Sequence, residues 1–396
     1  GSIVAASHVG VDLTIGAVAG LLPSIRDDLD LSGGRVAIIA TVLATVSSFG
    51  QPLAGRIIDR YGPRWLAVSS AMVTALVLGA VPILPTFTAL ISAAILGGAG
   101  AAIYHPAAAT LVRSSVEGNN TTTALGLFAG GGTLGLAIGP VLATGAARPL
   151  GPFLPLLLAL PGVLLAIALA VATGADQRRQ RDGIRERRTS LAESLRRTAP
   201  LVVAMSGVYL ASVTFSTAVP LWLADHTQSG AIGATLAVFS LAAAVGGLAG
   251  GRLTTLTGRP STAMYPMLVA PFAFLGLAHA IPGSAAWYLL IAAAGAFSSS
   301  AIPVALDAAQ GRASGSVASA SGLLMGLPIG LASATYLGLI TLIDPIEITH
   351  VAVIGGVTTA FAAVVAHHAL TPRYPATTRN LPSCTCISGS LAIATC

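Results

Sequence analysis

The chain of 396 residues is 54% hydrophobic and 9% charged, with a mean hydropathy of +0.84. Soluble domains carry about 25% charged residues, so this composition excludes a soluble globular protein and indicates an integral membrane protein. All 20 basic residues are arginine, and the net charge is +6. The three cysteines lie at the carboxyl terminus, which excludes a disulfide framework in the core.

Runs without charged residues predict twelve membrane-spanning helices, because one span needs about 20 mostly apolar residues. Two of the longer runs hold two spans each, with turns predicted at Pro82 and Pro85 in one and near Pro282 in the other. Continuous apolar runs indicate an all-α helical bundle, whereas a barrel would show short alternating segments. The runs are 3–24, 36–54, 65–112, 121–147, 150–173, 199–224, 229–251, 260–306, 315–343 and 346–370.

The arginines predict the orientation of the bundle. If the connection between spans 2 and 3 is cytoplasmic, 17 of the 20 arginines lie on that side and both termini are cytoplasmic. The three on the other side are Arg26, Arg35 and Arg148. Membrane topology therefore explains the basic charge, and we expect no nucleic-acid partner.

One long polar segment divides the chain into two pseudo-symmetric halves of six spans. The predicted parts are a first half (1–173), a basic cytoplasmic linker (174–198), a second half (199–371) and a cytoplasmic tail (372–396). Repeats of this kind are typical of transporters that bind substrate between their halves. At an offset of about 196 residues, Gly55, Gly62, Pro106, Gly126 and Gly130 align with Gly251, Gly258, Pro303, Gly322 and Gly326.

Two ionisable residues lie inside span 1. Asp12 is the one acid clearly away from a span end, and His8 lies one helical turn before it on the same face. Ionisable groups in a membrane helix are costly and usually functional, so we predict that Asp12 and His8 couple proton movement to function. The alternatives are a structural carboxyl bonded to a neighbouring helix and a hydrogen-bonded packing histidine.

The stretch GRIIDRYGPRW (55–65) lies in the predicted loop between spans 2 and 3 and resembles the signature of the major facilitator superfamily. Gly55, Asp59, Arg60, Gly62 and Arg64 match this signature. Asp59 at a helix end can meet the positive N-terminus of a neighbouring helix. Arg60 and Arg64 can pair with it and hold the cytoplasmic side closed. The second half has threonine at the equivalent position, which predicts that it lacks this latch.

Span 5 carries Gly126, Gly135, Gly139 and Pro140, in an order that resembles the span-5 motif of proton-coupled drug antiporters in this superfamily. The final glycine pair of that motif is replaced, in part by Ala143. Small residues let the helix pack tightly against its neighbours and kink at the proline. Generic glycine-rich packing in a membrane is the alternative interpretation.

Stretches 97–115 and 311–338, with the pair in span 1, resemble the fosmidomycin-resistance family of efflux proteins. In the superfamily, spans 1, 4, 7 and 10 line the central cavity. The resemblance therefore implies substrate contacts at His105 and Tyr104 in span 4 and at Tyr209 and Phe215 in span 7. Asp307, at the cytoplasmic end of span 10, is predicted to be a gate contact.

These features predict a major facilitator fold and a proton-coupled antiporter that exports a small molecule by alternating access. An uptake symporter or facilitator is the main alternative, and a membrane sensor without flux is another. No zinc or phosphate-loop motif is found, so we expect neither an enzyme nor a cofactor or bound metal. We expect a monomer in the plasma (inner) membrane, with protons, lipid and a small substrate as its partners.

Overall fold

The computed structural model describes residues 2–116, 120–173, 190–226, 228–313, 316–339 and 347–371, and its regular structure there is helical throughout. The first half contains α1 (Ser2–Asp28), α2 (Gly33–Phe49), α3 (Gln51–Tyr61), α4 (Pro63–Gly79), α5 (Phe87–Ser114), α6 (Thr121–Leu150) and α7 (Leu154–Ala172). The second half contains α8 (Leu191–Asp225), α9 (Ile232–Thr257), α10 (Met264–Met267), α11 (Ala270–Leu277), α12 (Ala285–Ser299), α13 (Ile302–Arg312), α14 (Val317–Met325), α15 (Leu327–Leu339) and α16 (Ile348–Leu370).

Within these residues, 11 helical segments are long and apolar enough to cross a membrane, and the bent pair of α2 and α3 raises the number to 12. The predicted all-α membrane fold with twelve spans is confirmed. The pair bends by 43° at Gly50, where Pro52 lies in the first turn of α3 and cannot donate a backbone hydrogen bond to the preceding turn.

Two predicted boundaries differ from the observed helices. The signature stretch 55–65, predicted as a loop, is helical as far as Tyr61, and the chain turns at Gly62 with φ +89°. Helix α8 begins at Leu191, inside the predicted linker, where Ser190 Oγ accepts a hydrogen bond from Glu193 N at 3.2 Å. The helix runs on through Pro200 into span 7. The rest of the linker (174–189) and the tail (372–396) lie outside the described residues.

The two halves pack against each other through small residues, and the contacts repeat with the sequence offset. A Cβ built on Gly55 of α3 would meet Ala318 O of α14, and one built on Gly251 of α9 would lie 2.6 Å from Thr122 O of α6. Gly251 lies 196 positions after Gly55, and Ala318 lies 196 positions after Thr122, so the two contacts are equivalent in the repeat. Gly258, the counterpart of Gly62, also has a positive φ, of +65°. The repeated positions therefore place the helices close enough for backbone contact between the halves.

Span 5 has two packing faces along its length. The first of its motif glycines, Gly126, faces the second half, where an added Cβ would lie 3.0 Å from Gly247 O of α9. Gly135 and Gly139 face α1 instead, and an added Cβ there would meet Val9 O and Leu13 O. The glycine spacing thus seats α6 against α1 inside the first half and joins it to α9 of the other half.

Candidate functional site

The predicted proton-coupling residues form a buried cluster between α1 and α5. His105 Nε2 lies 3.0 Å from Asp12 Oδ1, and His8 Nε2 lies 3.2 Å from Asp12 Oδ2. All three side chains are at most 11% exposed. One carboxylate is therefore held between two imidazoles, one from its own helix and one from span 4.

The contacts between the imidazoles and backbone carbonyls determine which ring nitrogen carries the hydrogen. They therefore determine whether the nitrogen that faces the carboxylate is a donor or an acceptor. His8 Nδ1 lies 2.7 Å from Phe128 O, and His105 Nδ1 lies 2.7 Å from Ala101 O. A carbonyl oxygen only accepts hydrogen bonds, so each Nδ1 carries a hydrogen. In a neutral imidazole, the Nε2 atom then has a bare lone pair. That of His105 is directed at Asp12 Oδ1, whereas that of His8 lies close to Asp12 Oδ2 without hydrogen-bond alignment.

The close approach of these three side chains is favourable only when the cluster binds a proton. With both imidazoles neutral and Asp12 ionised, two lone pairs would face a negative charge across about 3 Å. A proton on an Nε2 atom turns one of these repulsive contacts into a charge-assisted interaction, and a proton on the carboxyl turns one into a neutral hydrogen bond. His8 Nε2 is also a buried polar atom without hydrogen-bond alignment to any described group. The cluster is therefore a place where protons bind and from which they can be released.

Neighbouring side chains hold the imidazoles in place. Phe128 of α6 stacks on His8 with ring centroids 4.1 Å apart. Tyr104 is fully buried, and its hydroxyl lies 2.6 Å from Ser7 Oγ. Its ring packs at a tilt against His8 and edge-on against His105. The orientation of the cluster thus depends on three helices, α1, α5 and α6.

A glycine of span 5 leaves room for the cluster. A Cβ built on Gly132 would lie 2.5 Å from His8 Nε2 and 2.6 Å from Asp12 Oδ2. A Cβ built on Gly130 would meet nothing closer than 3.6 Å, at Ala244. Sequence analysis missed Gly132 and Phe128, because they matched no motif. The three consecutive glycines at 130–132 are the one feature of the sequence that indicates a close approach here.

The three donor atoms lie within 4.8 Å of one another, a spacing that a divalent cation also accepts. Structural metal sites usually use four ligands, and the described residues offer three. The Gly132 backbone also lies against His8 and Asp12, so that even one added Cβ would crowd both side chains. We interpret the cluster as a proton site, and a chelator control in each experiment separates the two interpretations.

Asp59 joins the halves at the end of the bundle that also carries Arg113 and Asp307, called here the arginine-rich end. Its carboxylate accepts hydrogen bonds from Ala318 N at 2.9 Å, from Ser319 N at 3.0 Å and from Ser319 Oγ at 2.6 Å. These groups lie in the first turn of α14, where the helix dipole also favours a negative charge.

The second half has a neutral counterpart of this contact. Thr255 Oγ1 of α9 lies 2.8 Å from Thr123 Oγ1 of α6, and both residues are 196 positions from Asp59 and Ser319. The second half therefore has threonine in place of the acid of this latch, and it keeps a neutral contact between the halves here. A hydroxyl replaces the carboxylate and forms a weaker bond at the equivalent place.

An ion pair also links the halves at the arginine-rich end. Arg113 Nη1 of α5 lies 2.6 Å from Asp307 Oδ1 of α13, and Thr122 Oγ1 of α6 donates to Asp307 Oδ2 at 2.6 Å. Gln310 Nε2 donates to Ala109 O at 3.3 Å. Asp307 thus lies at a contact between the halves, and Arg113 is its partner.

The remaining predicted residues lie in several environments. Arg64 donates to Thr173 Oγ1 at 3.1 Å, and the guanidinium of Arg60 lies over the Tyr61 ring at 5.4 Å. Tyr209 is half-buried and packs against the apolar cluster that includes Val11 and Tyr104. Phe215 is fully buried and stacks on Phe239 in the apolar core of the second half. Pro140 lies inside α6, where it packs against Gly20 of α1.

Comparisons with known proteins agree with this geometry. The model of the Major Facilitator Superfamily matches residues 4–333. The chain is 25% identical over 356 residues to the fosmidomycin resistance protein of Escherichia coli (strain K12), covering 87% of this chain and 86% of that protein. It is 28% identical over 161 residues to multidrug resistance protein 1 of Bacillus subtilis (strain 168), covering 41% of each.

Solved structures support the same fold. The superfamily transporter FucP, in the outward conformation, matches with a TM-score of 0.72 and 14% identity, covering 93% of this chain and 97% of that chain. A second structure, of the E. coli fucose:proton symporter FucP, matches with a TM-score of 0.68 and 13% identity over the same shares. By its family model, which spans most of its length, and by its twelve-span fold, the chain belongs to the major facilitator superfamily of transporters.

Proposed function

We propose that the protein is a proton-coupled antiporter that exports a small molecule by alternating access. The observation that carries this proposal is the Asp12 carboxylate held between His8 and His105, with both Nε2 atoms facing it. A membrane-buried cluster that needs added protons to be stable is suited to exchange protons with the two sides of a membrane. The names of the two relatives, which refer to resistance, favour export over uptake.

In this mechanism, protonation of the cluster and substrate binding exclude each other. An unprotonated cluster offers lone pairs and a negative charge to a substrate, and protonation removes that attraction. Tyr209 of the second half packs against the apolar cluster that also holds Val11 and Tyr104 of the first half. His105 and Tyr209 are the proposed first substrate contacts. Tyr104 and Phe215 are fully buried here and would contact substrate only in another conformation.

The contacts at the arginine-rich end provide the proposed gate. Asp59 and Asp307 each bind residues of the opposite half, so the two halves must separate there before the site opens on that side. The distribution of arginines favours the cytoplasm for this end and the plasma (inner) membrane for the protein. Opening and closing of these contacts, in step with protonation of Asp12, would give alternating access.

Transport by proteoliposomes under an imposed pH gradient tests the direction of coupling. The test compound is fosmidomycin, chosen from the relative's name, or the first other compound that raises the thermal stability of the purified protein. With the compound outside, an acidic interior drives its uptake if the protein is an antiporter. An acidic exterior drives uptake if the protein is a symporter, as the FucP relative is named, and that result would overturn antiport. Chelator-treated protein must behave identically.

Gly132→Ala is expected to reduce pH-driven transport by about tenfold or more, because the added Cβ displaces His8 and Asp12 from their present contact. The matched control is Gly130→Ala on the same helix, where the new Cβ meets atoms at ordinary contact distance and transport stays near wild type. Initial rates in proteoliposomes measure both variants. Equal rates for the two variants would mean that Gly132 does not shape the cluster.

A further inference from the structure

A cleft at the arginine-rich end, away from the proton cluster, has the features of a lipid site. It has a volume of about 560 Å³ and lies between α8, α13 and α16. Pro200, Val365 and Leu370 supply apolar walls, while Arg312 and His368 supply cationic or protonatable groups. Helix α16 ends here at Leu370, so the cleft lies at the level where a membrane-spanning helix reaches the headgroups.

Arg312 places a positive charge in the cleft that no acidic side chain of the described residues neutralises. Its side chain is half-buried, and it donates a hydrogen bond to Ala369 O at the end of α16. No carboxylate of the described residues pairs with it. Arg197 also reaches this site and donates to Arg312 O at 3.4 Å, but its charge is shared with Glu193. A half-buried cation that lacks an acidic partner is stabilised by an anionic ligand.

An apolar stripe leads from the cleft along the outside of α16. Val357, Phe361 and Val364 are 62%, 51% and 53% exposed, and His368 follows them on the same helical face. In a membrane-spanning helix, exposed apolar side chains of this kind contact lipid chains. The stripe ends where His368 lines the cleft, so a bound molecule can place acyl chains on the stripe and an anionic group beside Arg312.

We propose that this cleft binds the phosphate group of an anionic phospholipid, with its acyl chains along the α16 stripe. Basic pockets between membrane helices are known to suit such headgroups. The phosphate is the shared chemistry of a lipid headgroup and of free inorganic phosphate, but only a lipid uses both the cation and the stripe. The site is independent of the proposed proton coupling.

Native mass spectrometry of the full chain in detergent tests the proposal with phosphatidylglycerol, phosphatidylcholine and inorganic phosphate as probes. We expect phosphatidylglycerol to bind about fivefold more tightly than phosphatidylcholine, and Arg312→Gln to remove this preference. Arg259→Gln, at an exposed arginine of the same end, should retain it. Equal binding of the two lipids, or loss of the preference in the control variant, would overturn the proposal.

Because Arg312 also holds the end of α16, a second variant separates binding from folding. His368→Glu adds a negative charge at an exposed position and leaves the bond to Ala369 intact, so it should also remove the preference for phosphatidylglycerol. A full preference in this variant would contradict the site. Displacement of phosphatidylglycerol by millimolar inorganic phosphate would assign the cleft to free phosphate and overturn the lipid proposal.

Discussion

Asp12→Asn is expected to reduce pH-driven transport to the level of protein-free liposomes while the protein stays folded. Asparagine keeps the size of the side chain and can still bond to His105, but it cannot take up or release a proton. Its amide also presents a donor to one of the two Nε2 atoms, so the repulsion that makes protonation favourable is removed. Initial rates of uptake at a fixed pH gradient measure the effect.

Two controls make this experiment decisive. Exchange of the compound across a membrane without a pH gradient should persist in Asp12→Asn at a higher compound concentration, because the fold and gate are unchanged although the attraction by the negative charge is lost. Asp12→Glu keeps an acid on the same face of α1 and should retain part of the pH-driven rate. Transport by Asp12→Asn that still responds to the pH gradient as wild type does would show that another group carries the proton.

Asp59→Asn is expected to shift the conformational equilibrium toward states that are open at the arginine-rich end. The carboxylate now accepts three hydrogen bonds from the first turn of α14, and an amide loses the charge that strengthens them. The loss of charge-assisted hydrogen bonds costs about 2 kcal/mol, or about 30-fold in the ratio of the two states. Thr255→Val, at the neutral counterpart, should shift the ratio by about fivefold or less.

Distances between spin labels at positions 65 and 256 measure this shift, since Trp65 and Leu256 are exposed on opposite halves at that end. The native cysteines of the tail are first replaced with serine so that only the introduced ones are labelled. The fraction of molecules with the longer distance should be smallest in the wild type, larger in Thr255→Val and largest in Asp59→Asn. A larger shift for the threonine variant than for the aspartate variant would contradict the gate.

Most of the fold follows from the sequence because a membrane imposes a length on each apolar run. The end of the bundle at Leu370 falls where a charge-free run ends, and the turn at Pro82 falls where proline divides a run that is long enough for two spans. The break at Gly50 was missed because proline alone does not predict one. Pro106 and Pro200 lie inside unbroken helices, whereas Pro52 lies in the first turn of a new one. The difference depends on the packing of neighbouring helices.

The site was only partly predictable. Spacing along one helix put His8 and Asp12 on the same face, and a family resemblance brought in His105. The sequence did not predict which atoms would meet. The outward-pointing Nδ1 contacts to Phe128 O and Ala101 O depend on the packing of α1, α5 and α6, and these contacts turn both Nε2 atoms toward the acid.

The central claim is that protons and substrate compete for the Asp12 cluster. Proton release on addition of the test compound to purified, chelator-treated protein in weakly buffered detergent solution tests it most directly. We predict release of protons by the wild-type protein and none by Asp12→Asn at the same extent of binding. Proton uptake on binding, or equal release by the two proteins, would contradict the account.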